Sequence, residues 1–421
     1  MNKFEKLGLT EPVLKALEKA KFTEPTEIQE KSIPLIVDGK DVIAGSATGS
    51  GKTLAFAAGV LKNSEIGYGV QSLILTPTRE LAEQVSQALI KFSEYKRLKI
   101  LSIYGGVSIV PQIRNLKSAD IVVGTPGRIL DHIERRTIDL KHVNTLVLDE
   151  ADRMLDMGFL DDVLRIVKSC PPKRQTLLFS ATISPDIFHI AKNYMKNPIE
   201  ISAERSVDPK KLKQVYYDIQ DNMKFSLLVH LLKHEKAELV MIFSNTRSNT
   251  DFVAENLQLN GVEAKAIHGG LTQDKRSKIM EQFHSNKVHV LVCTDVAARG
   301  LDISGVSHVY NYDMAKDTKE YIHRIGRTAR AGKDGKVVNL ISSRDYDNYS
   351  KVLRDNDLEI PIADTPKVEM VRIKFTRNTR RDGGDSRGRS GGGNGRRPQR
   401  GGSRGPSRDA RRSQRSSGRR R

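Results

Sequence analysis

Short apolar runs punctuate the chain, separated by stretches whose apolar residues recur at helical spacing. In the first half they fall at 42–44, 73–75, 100–103, 121–123, 146–148 and 177–179. Each is too short for a helix and too continuous for a half-exposed strand, which predicts a parallel sheet buried between helices. Residues 204–213 are polar, with Pro209 and three lysines, and read as a linker. The rhythm then restarts at 239–243, 264–267, 288–292, 308–310 and 337–341. After about Phe375 it stops. The expected organisation is α/β, with two tandem parallel-sheet lobes at 1–204 and 214–365, a linker at 205–213, and a disordered basic tail at 366–421.

Polar or glycine-rich clusters follow the strands: Pro77-Thr78-Arg79, Gly105-Gly106, Thr125-Pro126-Gly127-Arg128, Asp149-Glu150 and Ser180-Ala181-Thr182, then Ser244 to Arg247, Thr294-Asp295 and Asp313. Open parallel sheets bind ligands beyond the carboxyl ends of their strands, so the candidate chemistry sits where such a fold can use it.

Two clusters form the halves of a nucleoside triphosphate site. Ser46-Ala47-Thr48-Gly49-Ser50-Gly51-Lys52-Thr53 sits between a strand and a helix, as a P-loop does, although Ser46 stands where the usual first glycine would be. Its backbone N–H groups suit phosphates, Lys52 suits the β- and γ-phosphates, and Thr53 suits Mg²⁺. The plain alternative is a glycine turn into a helix. Asp149 suits Mg²⁺ and Glu150 water activation; the alternative is acidic N-capping by Asp149 or Asp152. Upstream, the Gln29 amide can both donate to and accept from adenine, near Phe22, Pro25 and Thr26, while a helix capped by Thr26 is the plainer reading. Arg327 and Arg330, three apart, can share a helical face and reach a γ-phosphate, or contact RNA phosphates instead. His230 and His234 lack a third ligand and read as a helix face.

Charge changes the picture at one end. The chain carries +19, and residues 377–421 hold 16 Arg against 3 Asp, which leaves +6 on the rest. That is a polyanion-binding arm on a near-neutral body. Rich in Arg, Gly and Ser, the arm cannot bury enough apolar surface to fold. Cys170 and Cys293 show no disulfide or zinc spacing, which suits a reducing cytoplasm. Neither a signal peptide nor a membrane span is expected.

Taken together and in this order, the motifs resemble those of the DEAD-box ATP-dependent RNA helicases, over about 4 to 341. Phe4 resembles the isolated upstream aromatic. Phe22 to Gln29 resembles the adenine-reading Q motif, with Lys21 in place of its usual glycine, and Asp149-Glu150-Ala151-Asp152 is the eponymous run. The resemblance implies two RecA-like lobes and ATP with Mg²⁺ as ligands. It assigns ATP contacts to Phe22, Thr26, Gln29, residues 46–53 and Asp302, with Mg²⁺ at Thr53 and Asp149. Catalysis falls to Lys52, Asp149, Glu150, Arg327 and Arg330, and coupling to Asp152, Ser180, Thr182 and His323. RNA contacts are implied for Pro77, Thr78, Arg79, Gly105, Gly106, Thr125, Arg128, Arg247, Gln273, Arg276, Thr294 and Arg299. In the last motif Ala329 replaces the commoner glycine. The short N-terminus and basic tail suggest a bacterial SrmB or RhlE type. The expected activity is local, RNA-stimulated unwinding with little sequence preference, in ribosome assembly, mRNA decay or cold adaptation, by a monomeric core. The rival readings are a DNA translocase and an RNA-binding protein without ATPase activity.

Overall fold

A computed structural model describes residues 3–45, 50–202, 212–298, 303, 306–328, 335–356 and 358–374. Residues 1–375 cluster as one compact unit. Its first lobe is a seven-stranded, all-parallel sheet, β1 (Val42–Gly45), β2 (Ser72–Leu75), β3 (Ile100–Ile103), β4 (Ile121–Gly124), β5 (Thr145–Asp149), β6 (Gln175–Ser180) and β7 (Ile199–Ser202), in the order β3-β4-β2-β5-β6-β1-β7. The second lobe repeats the design with β8 (Lys213–Asp218), β9 (Val240–Phe243), β10 (Ala264–Ile267), β11 (Val290–Cys293), β12 (His308–Asn311) and β13 (Lys336–Ile341), ordered β10-β11-β9-β12-β13-β8. The expected runs all became strands because both faces are covered. In each lobe two apolar clusters, one per face, bury the sheet between helices.

Register places the chemistry. β6 lies between β1 and β5, with Gly45 opposite Ser180 and Asp149 opposite Phe179. The glycine loop, the Ser180 motif and the acidic run therefore emerge side by side on one rim. Helix caps fix the exits from other strands. Thr78 Oγ1 accepts from the Leu81 N–H at 3.3 Å, and Thr246 Oγ1 from the Asn249 N–H at 3.1 Å, satisfying amides that the first helical turn leaves open.

Three boundaries differ from expectation. β7 and β8 went unread because they alternate buried and exposed residues at a sheet edge, where no continuous apolar run forms. With β8 starting at Lys213, the polar stretch ends one residue earlier than 205–213. Residues 366–374, expected to begin the tail, lie along the second lobe instead. Val368, Val371 and Ile373 pack on its apolar cluster, and Lys374 exchanges backbone hydrogen bonds with the Asn256 side chain. Three spaced apolar residues sufficed, too few to read as a pattern. Among the described residues no helix is long and apolar enough to cross a membrane.

Candidate functional site

The glycine loop is described from Ser50; Ser46, Ala47, Thr48 and Gly49 lie outside the described residues. Gly51 has φ +92°, and a Cβ there would stand 2.3 Å from Gln29 Nε2, so only glycine fits. Lys52 and Thr53 open the helix Lys52–Asn63. The Gln29 amide donates to the Gly51 carbonyl at 2.9 Å and accepts from the Thr26 N–H at 3.0 Å, while Thr26 Oγ1 donates to the Ser50 carbonyl at 2.7 Å. The capping reading is realised. Thr26 and Gln29 cap their own helix and also brace the loop. A primary amide has two N–H donors and two acceptor lone pairs, so one of each remains for a base. Half-buried Phe22 packs edge-on against Phe92 at 6.0 Å.

At the end of β5, Asp149 is buried and its Oδ1 has no hydrogen-bond donor among the described residues. Burial pushes its carboxyl up to about 6, against the pull of Lys52. A buried carboxylate oxygen with an open lone pair, beside a lysine and a helix-start hydroxyl, fits a divalent cation carried in with a phosphate chain. Among the described residues no cluster of three His, Cys, Asp or Glu could hold a metal by itself. His230 and His234 stack at 4.1 Å on their helix, as expected of a plain face.

Glu150, not Asp149 or Asp152, occupies the N-cap position, in the left-handed region at φ +51° and without a side-chain cap bond. Its buried carboxylate accepts from Arg153 at 2.5 Å. Asp152 turns the other way. Its Oδ2 accepts from the Thr182 N–H and hydroxyl at 3.1 and 3.0 Å, and its own N–H reaches Ser180 Oγ at 3.3 Å. Burial alone would raise the Asp152 carboxyl, but Thr182 and the cations Lys319, Lys52 and Arg153 hold it below the ordinary value. Three of the four expected coupling residues thus form one network, buried at Asp152 and Ser180 and half-buried at Thr182, and the Lys319 charge joins it from the second lobe.

The RNA candidates also gather. A cleft of about 440 Å³ is lined by Pro77, Thr78, Arg79, Gly105, Thr125 and Arg128 from the first lobe and by Gln273 and Arg276 from the second. A Cβ on Gly106, at φ +79°, would stand 2.1 Å from the Arg79 guanidinium. Arg247 runs beside Gly269, which lines the same cleft. Thr294 follows β11, two residues before Val296, an exposed lining residue. Arg299 and Asp302 lie outside the described residues.

Within this cleft Gln273 and Arg276 both bond Glu80 of the first lobe, at 3.1 and 3.0 Å. A second bridge, Lys319 to Asp156 at 2.7 Å, also crosses between lobes. Glu80 was passed over in sequence because its motif neighbours are basic or polar. The spacing does not reveal that its carboxylate faces the other sheet.

Arg324 was missed too, and it organises the second lobe. Fully buried, it donates twice to Asp295, at 2.7 Å each, and also to Asn245, Asn311 and the Asp313 carbonyl. These partners follow or end β11, β9 and β12, three adjacent strands. Of the two arginines expected on one helical face, only Arg327 is among the described residues, and it lies outside the helix. The helix Thr318–Ile325 closes at Gly326, and buried Arg327 lies in the turn beyond, followed by Thr328, which bridges to Val306. Arg330 lies outside the described residues. His323 sits half-buried in the helix's last turn.

The DEAD/DEAH box helicase family matches residues 26–190, and the helicase conserved C-terminal domain matches 223–332. An ATP-dependent RNA helicase CshA of Listeria monocytogenes is 48% identical over 84% of this chain and 69% of its own length. A DEAD-box CshA of Geobacillus kaustophilus is 46% identical over 89% and 79%. Both carry the CshA name, not the SrmB or RhlE type expected. Among solved structures, Dbp5 of S. cerevisiae bound to RNA and ADP BeF3 is 30% identical, covers 86% of this chain and 96% of its own, and has a TM-score of 0.78. A DEAD box protein from Methanococcus jannaschii, 41% identical over 86% and 99%, has a TM-score of 0.53. Both show two RecA-like lobes to be the fold.

Proposed function

The chain belongs to the DEAD-box ATP-dependent RNA helicases, and from that membership we propose that its ATP site is completed by the second lobe only when RNA occupies the interlobe cleft. The enzyme hydrolyses ATP and acts on RNA. In the proposed cycle the triphosphate lies on the glycine loop, with Lys52 against its terminal phosphates and the spare donor and acceptor of Gln29 against adenine. Thr53 and Asp149 would hold Mg²⁺, which neutralises phosphate charge. Glu150 takes a proton from the attacking water as the γ-phosphoryl leaves ADP. Arg327 and Arg330 supply positive charge to that transfer.

The observation that carries this reading is the cleft itself. Residues that the family resemblance assigns to RNA contact line it from both lobes, and Glu80 ties two of them across the gap. Backbone phosphates bound there would favour lobe closure without reading sequence. The Asp152–Ser180–Thr182 network joins the same rim to the acidic run, so a change in lobe position is felt beside Glu150. The higher TM-score with an RNA-bound relative, despite lower identity, supports a near-closed arrangement. We further propose a cytoplasmic, monomeric core acting on structured RNA such as ribosomal precursors.

The test is ATP turnover by Arg330→Ala with and without RNA. An arginine that stabilises phosphoryl transfer contributes about 10³–10⁵ in rate. The variant is expected to keep ATP affinity and lose RNA-stimulated turnover. Unchanged turnover would move Arg330 to the RNA contacts.

A further inference from the structure

The two sheets share one strand order, with β8 standing where β1 stands, β12 where β5 stands, and β13 where β6 stands. Lys52 is the first residue of the helix after β1. Lys224 is the first residue of the helix after β8, Lys224–His234. The second lobe lacks a glycine loop, yet it keeps a lysine at the corresponding place. That lysine is fully buried, lies 5.4 Å from the Tyr312 ring centre, and donates to Asp345 Oδ2 at 2.6 Å.

The Asp345 carboxylate has an unusual set of donors. Besides the Lys224 ammonium, Oδ2 accepts from the Ser342 N–H at 3.1 Å and the Ser342 hydroxyl at 2.8 Å, and Oδ1 accepts from the Met314 N–H at 3.1 Å. An ammonium, a hydroxyl and two backbone N–H groups are also what a P-loop offers a phosphate, although here the Met314 N–H comes from the loop after β12 and the Ser342 bonds form the capping box of the short 3-10 helix Ser343–Asp345. Ser342 follows β13, and Met314 lies just past β12. Their first-lobe counterparts, β6 and β5, flank the ATP site. Asp313 and Arg344 stand nearby, 3.6 Å apart, as an outer ion pair.

We infer that Asp345 is a built-in anion occupying the phosphate position of the second lobe's own sheet and masking a latent oxyanion site formed by Lys224, Ser342 and the Met314 N–H. Two of the four donors are the local capping box of Ser342, while Lys224 and the Met314 N–H arrive from other strand ends of the lobe. Here four donors converge on one carboxylate, and removing it leaves all four aimed at a common point. The ligand class is a tetrahedral oxyanion, phosphate or sulfate, not a whole nucleotide, since no glycine loop is present to wrap a triphosphate. This assignment does not rest on the catalytic reading of the first lobe.

The test uses the full chain carrying Asp345→Ala, and Asp345→Gly, which frees the further room a tetrahedral ion needs. Both are purified in phosphate and examined by equilibrium dialysis with labelled inorganic phosphate and by thermal unfolding. Each is expected to bind about one more phosphate per chain than wild type, to be displaced by sulfate, and to gain stability with phosphate concentration more steeply than wild type. Adding Lys224→Met should abolish the extra binding. Wild-type stoichiometry in both single variants would overturn the assignment. So would extra phosphate that survives Lys224→Met, or failure of both single variants to fold even in saturating phosphate.

Discussion

Glu150 is held in a backbone conformation that a non-glycine residue adopts at a cost of about 1–3 kcal/mol, with its carboxylate clamped by Arg153. Glu150→Gln keeps the shape and removes the base. It should retain ATP and RNA binding and lower turnover by about 10²–10⁴; rapid steady-state turnover would remove Glu150 from the chemistry. Arg324 is a stability residue of the second lobe. Arg324→Met strands half-buried Asp295 and the polar ends of β9 and β12 and should cost about 3–5 kcal/mol in urea unfolding, whereas a loss below about 1 kcal/mol would mean the network repacks. Asp345 gives a pH prediction. Burial would raise its carboxyl, but Lys224, Ser342 and the Met314 N–H together hold it below the ordinary value. A depressed carboxyl contributes stability above its unfolded pKa of about 3.9 and loses it as pH falls through the folded value. Compared with Lys224→Met/Asp345→Leu, wild type should therefore lose stability faster on acidification below about pH 4. Parallel curves would contradict the pairing. The places of Lys52 at a helix start and of Asp149 and Glu150 at a strand end were legible in sequence because short apolar runs precede both clusters. Arg153, Arg324 and Glu80 were not, because a buried partner is chosen by which strands become neighbours, and spacing does not carry that.

Strand ends, helix starts and the turns between them set which side chains share a rim. The eleven runs read from sequence became strands, buried at the sheet centres and half-buried at the edge strands β3 and β10, and the polar clusters after them fell where the sheet order needed them. The edge strands β7 and β8 escaped because half-exposed alternation over four to six residues resembles loop composition. Arg327 was misplaced for a similar reason. Three-residue spacing permits a helix but does not require one, and Gly326 ends it first. The Glu80 link between the helices Arg79–Phe92 and Gln273–His284 is the contact most specific to the lobe arrangement. Glu80→Gln removes its charge. A partly buried pair of this kind is worth about 1 kcal/mol, so the closed-to-open ratio without RNA should fall about fivefold, read as a longer interlobe distance by single-molecule energy transfer. An unchanged distance distribution would mean the link does not hold the lobes.

At the scale of the whole molecule, the charge asymmetry and the interlobe cleft make one account. In the proposed account the body binds RNA in the interlobe cleft, and residues 377–421 add a basic arm whose charge alone predicts nonspecific attraction. If the arm neutralises about six phosphates, log affinity for single strands should fall with log salt at a slope near −4. Deleting 377–421 should flatten that slope while leaving core ATP turnover intact, and an unchanged slope would remove the arm from binding. The central claim is that the ATP site is finished by the second lobe under the control of RNA. Its most direct measurement is steady-state ATP turnover by the full chain with no nucleic acid, with structured RNA, and with single-stranded DNA of the same length. The account predicts near-idle turnover alone, strong stimulation by RNA, and little by DNA. Equal turnover with and without RNA would contradict it.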